Sequence, residues 1–285
     1  MSQFDQLHRY IFESRHVRGE LVQISDAYAQ MLDKHNHQPC IKKLIGELLA
    51  ATSLLTATLK FEGDIAVQVQ GDGPLRFAVI NGNHNQEMRA AVRLNTTPND
   101  NASLHELLGK GQMVITISPN EGERYQGIVP LEKPTLAECL EDYFQYSEQL
   151  RTRLWIEVDT NDDALKASGM LLQVLPANVE QSKDDFDHLE ALTNTITRDE
   201  LLTLDATQLL TRLYHEDNPQ LFAPAPVIFK CTCSREKSQN AILNLGSEDI
   251  MNHVNTVGPI DITCEYCKTN YHFDINELIE LARAH

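Results

Sequence analysis

Alternating and helically spaced apolar positions divide the chain into recognisable pieces. HVRGELVQI (16–24) alternates as a strand should. From 41 to 59, Ile41, Leu44, Ile45, Leu48, Ala51, Leu55 and Leu59 fall on one helical face. This predicts a helix despite Gly46, whose interior position costs about 1 kcal/mol relative to alanine. DIAVQVQ, LRFAVIN and MRAAVRL read as a meander, with GDGP (71–74) as one of its turns. QMVITIS and RYQGIVPL, separated by PNEGE, read as a further hairpin. Thr135 and Glu138 form a capping box for a helix with Leu136, Cys139, Leu140, Tyr143 and Phe144 on one face. RLWIEVD and GMLLQVLP then return to strand character. Strands joined by turns, with helices grouped between them, predict an α+β domain over residues 1–177 around a mainly antiparallel sheet.

The pattern changes after Pro176. Between Asn178 and Asn218 there are ten acidic and three basic residues, with Phe186, Leu189, Leu192, Ile196, Leu201, Leu204, Leu209, Leu210 and Leu213 at helical spacing. Short amphipathic helices with an acidic outer face follow, and helices of that length need something to dock on. NPQLFAPAPVIF (218–229) reads as an extended connector that completes a helical linker over 178–229. Residues 230–285 form a separate small unit. Ser234 caps a helix reaching about Asn244, Gly246 sits where a helix-ending glycine belongs, and Ser247-Glu248-Asp249 restarts a second helix. Asp274 and Glu277 box a final helix carrying Leu278, Ile279 and Leu281. A unit of this size seldom has enough core, so a staple is expected.

Composition narrows the function classes. The formal net charge of −17, from 41 acidic and 24 basic residues, repels phosphate backbones, and no basic cluster offsets it, so nucleic acid is not an expected partner. The first twenty residues lack an apolar core of the secretory kind, and no uncharged apolar run approaches the roughly 18 residues that span a bilayer. The expected setting is therefore the cytoplasm, without a membrane partner, where thiols stay reduced. There is no G-x-x-x-x-G-K-[ST], G-x-G-x-x-G or G-x-S-x-G, so neither a nucleotide-driven machine nor an enzyme is expected.

The staple is visible in the cysteines. KCTCSREK supplies Cys231 and Cys233; after thirty intervening residues, ITCEYCKTN supplies Cys264 and Cys267. Two tight pairs admit disulfides, a redox couple or a metal site, and a reducing setting favours metal or redox chemistry. Four thiolates are the ligand count of a tetrahedral structural zinc site, one Zn2+ per chain, although an iron–sulfur cluster uses the same donors. Zinc thiolates are also the form that peroxide attacks, so the site has a purely structural reading and a switch reading. A structural zinc module in nucleic-acid or protein binding is the alternative, as is a thiol–disulfide oxidoreductase built on Cys264 and Cys267, although the surrounding βαβ unit that it usually needs is missing. Cys139 on its apolar helix face reads as a buried structural thiol, and Cys40 is grouped with it. The His35–His37 pair lacks companion ligands, and His253 and His272 read as surface residues.

These cysteines resemble the hallmark of the heat-shock protein 33 family, redox-regulated holdase chaperones of bacteria. VRGELV (17–22), GDGPL (71–75), YQGIVPL (125–131), YFQYSEQ (143–149), SGMLLQVLP (168–176) and FKCTCSREK (229–237) occur in the family's order. Arg151 departs from the proline that related sequences often carry there, which bears on a local turn. The resemblance implies that the reduced, zinc-bound form is inactive. Oxidation would join Cys231 to Cys233 and Cys264 to Cys267, release zinc and unfold the linker, with homodimerisation accompanying activation. Unfolding client proteins would then be held without ATP on exposed apolar surface, for which Phe186, Leu189, Leu192, Ile196, Leu209 and Leu213 are the candidates.

Overall fold

The computed structural model describes residues 4–59, 61–175 and 183–283. Two compact units divide the chain, Met1–Lys230 and Cys231–His285. The first opens with β1 (Gln6–Phe12), β2 (Val17–Ile24), α1 (Asp26–Leu32) and α2 (Pro39–Thr58). The meander β3 (Gly63–Gln70), β4 (Leu75–Asn83) and β5 (Glu87–Leu94) leads through α3 (Leu104–Leu108) to the hairpin β6 (Gln112–Pro119) and β7 (Tyr125–Pro130). Next come α4 (Leu136–Tyr143), which runs into a π-helical turn at Phe144–Glu148, then β8 (Thr152–Asp159) and β9 (Lys166–Val174). Three short helices follow, α5 (Lys183–Thr193), α6 (Arg198–Thr203) and α7 (Ala206–Tyr214). Three two-residue strands close the unit, β10 (Gln220–Leu221), β11 (Ala225–Pro226) and β12 (Ile228–Phe229).

The strands form two sheets where the sequence pattern suggested one. The first has the order β10-β1-β2-β9-β8, with β11 also on β1; the second has the order β12-β5-β4-β3-β6-β7. All pairings are antiparallel except β12 on β5. Pairing β3 with β6 separates the meander from β1, β2, β8 and β9, a choice that period-two alternation cannot encode because it marks faces and not neighbours. Helix α2 packs on β2, β8 and β9 of one sheet and on β3 and β4 of the other. It therefore buries Leu49, Ala50 and Leu54 in addition to the expected stripe, as a helix apolar around its girth must. Gly46 is a close-approach position: a Cβ there would sit 2.7 Å from Val158 Cγ1 and 3.1 Å from Tyr28 Cζ.

One buried charge is left exposed to pH. Glu20 on β2 is 2% exposed and its Oε2 has no hydrogen-bond partner. Burial pushes its carboxyl up to about 7, with Arg18, Thr58 and Arg9 offsetting only part of that shift. A raised folded-state value means that this stability contribution is fully present below the unfolded value near 4.5 and is lost as pH rises through about 7. Glu20→Gln is expected to flatten this part of the pH profile and to raise the melting temperature at pH 8 more than at pH 5. Equal shifts at both pH values in thermal unfolding would rule this out.

The outer face of the first sheet is covered by α5, α6 and α7. Phe186, Leu189, Leu201, Ala206, Leu209, Leu210, Leu213 and Tyr214 form a second core with Tyr10, Phe12, Val17, Leu21, Met170, Leu172 and Val174 of the sheet. Gly19 lets Tyr10 lie flat on β2, since a Cβ there would sit 2.2 Å from the ring. Of the linker range 178–229, residues 178–182 lie outside the described residues, as does Pro176; the remainder belongs to the same compact unit as the sheets. The connector expected over 218–229 is extended, and β10, β11 and β12 stitch it to the edges of both sheets.

The second unit contains α8 (Arg235–Leu243), α9 (Ser247–Thr256), the hairpin β13 (Ile260–Thr263) and β14 (Asn270–Phe273), and α10 (Ile275–Arg283). Ser234 caps α8 by accepting from Lys237 N–H at 3.1 Å, and Asp274 and Glu277 exchange the predicted capping bonds at 2.9 Å. Among its described residues, Ile242, Ile250, Phe273, Leu278 and Ala282 form the buried apolar core.

Candidate metal centre

The four cysteines converge in the second unit. Cys231 and Cys233 lie on the extended segment ahead of α8, where the Ser234 cap fixes the chain's turn into the helix. Cys264 and Cys267 occupy the tight turn of the β13–β14 hairpin, closed by Cys264 N–H to Thr269 O at 2.9 Å and Lys268 N–H to Cys264 O at 3.0 Å. Lys268 takes the left-handed conformation that the turn requires (φ 55°). All four thiols are free and half-buried, and their sulfurs lie within 4.8 Å of one another. Among the described residues this is the one group of three or more His, Cys, Asp or Glu side chains placed to hold a metal ion.

The donor set fits such an ion. Sulfurs on tetrahedral zinc, at about 2.3 Å from the metal, lie about 3.8 Å apart. Cys231 Sγ is 3.7 Å from Cys264 Sγ, and Cys233 Sγ is 3.4 Å from Cys267 Sγ. Without an ion, burial pushes the Cys231 thiol up to about 12 and raises that of Cys233 as well. Burial opposes the Cys267 thiolate too, but hydrogen bonds from Thr269 and from the neighbouring thiols outweigh it and lower this group to about 6. Burial holds the Cys231 and Cys233 thiols protonated at this spacing, a cost that a bound cation would offset. Two polar contacts escaped sequence reasoning: Tyr271 Oη donates to Cys233 Sγ at 3.1 Å, and Thr269 Oγ1 lies 3.1 Å from Cys267 Sγ. No spacing rule marks a hydroxyl as a thiolate partner, and only the hairpin register brings these two to the sulfurs.

The other candidates separate cleanly. Cys40 and Cys139 are buried, 6% and 1% exposed, and burial raises both thiols. His35 and His37 stack on each other. His272 is exposed and 3.0 Å from Asp261. His253, expected at the surface, is half-buried with its Nε2 enclosed and unpartnered, because α9 turns it inward near its C-terminal end. Of the six apolar linker candidates, Phe186, Leu189, Leu209 and Leu213 are buried in the second core, while Leu192 and Ile196 are partly buried against it. Arg151, expected to affect only a local turn, reaches α5: it pairs with Asp187 and Glu190, each at 2.6 Å, and its guanidinium lies 4.4 Å from the Phe186 ring centroid.

Known proteins place this architecture. A family model described as Hsp33 protein matches residues 5–274. A 33 kDa chaperonin from Pseudoalteromonas translucida is 56% identical over 272 residues, covering 95% of this chain and 96% of that protein. One from Serratia proteamaculans is 53% identical over 281 residues, covering 99% and 96%. The crystal structure of the 33 kDa chaperonin, a heat shock protein 33 homologue, from Thermotoga maritima superposes with a TM-score of 0.85 over 98% of each chain, at 22% identity. Family model and relatives thus define a chaperone of the Hsp33 type, with four cysteines placed where they could hold a metal ion. The chain belongs to the heat-shock protein 33 family. Among the described residues no helix is long and apolar enough to cross a membrane.

Proposed function

We propose that the protein is a redox-regulated, ATP-independent holdase whose reduced, zinc-bound form is inactive. The observation that carries this is the cluster of four free sulfurs within 4.8 Å, in a unit with five buried apolar side chains among its described residues. Such a unit depends on its ligands, and thiolates are the ligands that peroxide removes. Cys231, Cys233, Cys264 and Cys267 hold one Zn2+ per chain. Two peroxides convert the four thiolates into two disulfides and four hydroxides, which leaves no thiolate to hold the ion. Two sulfur contacts run across the motifs, Cys231 to Cys264 at 3.7 Å and Cys233 to Cys267 at 3.4 Å. Once the cluster opens, however, only the short C-x-C and C-x-x-C spans keep two thiols together, which favours the Cys231–Cys233 and Cys264–Cys267 pairs.

Loss of that unit's fold is coupled to undocking of α5–α7, which are too short to persist alone. Undocking uncovers Phe186, Leu189, Leu192, Ile196, Leu209 and Leu213 together with the sheet face beneath them, an apolar surface for unfolding client proteins. Homodimerisation accompanies this activation. The acidic surface keeps the opened protein soluble, and the setting is cytoplasmic. Peroxide with mild heat is expected to release about one zinc per chain and to switch on suppression of client aggregation, and Cys139→Ser is expected to respond as the wild type does. A fully oxidised, zinc-free protein without holdase activity would end this reading.

A further inference from the structure

The four sulfurs are chemically unequal. Cys233 Sγ accepts from Tyr271 Oη at 3.1 Å. Cys267 Sγ lies 3.1 Å from Thr269 Oγ1 and also bonds the Thr269 backbone N–H. Cys231 receives a backbone N–H from Cys233, and its other contacts are with the neighbouring thiols. For Cys264 the contact on the sulfur is another thiol, Cys231 at 3.7 Å. In each motif one sulfur, Cys233 in the first and Cys267 in the second, thus has a side-chain hydroxyl 3.1 Å away. The donors are built in: Tyr271 sits on β14 opposite Ile262, with its ring packed against the unit's core. Thr269 is placed by the turn that joins Cys264 N–H to Thr269 O.

We infer that Tyr271 and Thr269 tune the redox response of the cluster, acting as hydroxyl brakes on Cys233 and Cys267; this rests on the redox reading above. A hydroxyl bonded to a thiolate withdraws charge from sulfur, and thiolate nucleophilicity falls with basicity. In the step concerned, a thiolate sulfur attacks one peroxide oxygen, the O–O bond breaks, hydroxide leaves and a sulfenic acid remains. The second thiolate then attacks that sulfur, the S–O bond breaks and a second hydroxide leaves, so each disulfide consumes one peroxide. The brake directs the first attack toward Cys231 and Cys264. Cys233 and Cys267 then serve as the thiolates that close each disulfide.

The test uses the full-length zinc-loaded protein, fixed peroxide and a chromogenic chelator. Tyr271→Phe and Thr269→Val are each expected to lose zinc about three- to tenfold faster than wild type, because a hydrogen bond to a charged sulfur has been removed. Thr269→Ser, which keeps the hydroxyl, is expected to match wild type. With Co2+ in place of zinc, the thiolate-to-metal charge-transfer band is expected at lower energy in Tyr271→Phe, a shift that a merely structural role would not produce. Wild-type release rates together with an unmoved band overturn the inference. If Tyr271→Phe fails to take up metal, equal rates for Thr269→Val and Thr269→Ser overturn it instead. A wild-type protein that keeps its zinc under peroxide defeats the redox reading itself, whereas wild-type release with unchanged variants defeats this inference alone.

Discussion

Cys231→Ser is expected to abolish tight zinc binding and to unfold residues 231–285 in the full chain, leaving the sheets of the first unit protected. Among its described residues the second unit buries Ile242, Ile250, Phe273, Leu278 and Ala282, too little to offset an ordering cost of about 1.5 kcal/mol per residue. A structural zinc contributes about 10–16 kcal/mol in small domains. Hydroxyl oxygen at position 231 is a poor replacement for thiolate, and the ion would be left with three sulfurs. Amide exchange is the direct measure: protection should vanish in β13, β14 and α10 while β2, β3 and β9 keep theirs. Chelation of the wild type should give the same map. Retained stoichiometric zinc in the variant would count against a four-thiolate site.

Phe186→Ala is expected to undock α5 in the reduced, zinc-loaded protein. Phe186 is fully buried between the first sheet and the guanidinium of Arg151. Truncating a buried phenylalanine costs about 3–5 kcal/mol, and α5 has only eleven residues and little stability of its own. The ion pairs around it cannot compensate. Arg15 with Asp185 and Arg151 with Asp187 are partly exposed, a setting in which pairs contribute about 0–1 kcal/mol. The measurements are exchange across 183–193, binding of an apolar dye and aggregation suppression without oxidant. Ile196→Ala, at a partly buried position, should move all three much less. Full exchange protection of α5 in Phe186→Ala would sink the idea that docking holds the linker.

The periodic elements were legible in the sequence, and the relations among them were not. Helix α2, the meander and the Thr135 capping box read directly, because spacing and caps are local properties. Strand β1 was missed because it is buried on both faces: Leu7 points into the main core, while Tyr10 and Phe12 lie under the linker helices, so no clean alternation survives. Partition into two sheets depends on β3 pairing with β6 and β2 with β9, whose partners, such as Gly63 with Pro119 and Val17 with Val174, lie far apart in the chain. The four cysteines announced the candidate site because their spacing is itself a ligand geometry. Tyr271 and Thr269 stayed hidden because a hydroxyl near a sulfur leaves no periodic trace.

The two-residue strands at 220–229 give the linker a particular mechanical character. The segment carrying α5–α7 is anchored before it by β9, paired with β2 from Ala167 to Val174, and after it by β10 and β11 on β1. A linker released as proposed above would therefore be a closed loop and not a dangling tail. The apolar face it left remains within reach at high effective concentration, and the entropy gained on opening grows only slowly with loop length. On the proposed switch, redocking of α5–α7 would be an intramolecular search by a segment held at both ends.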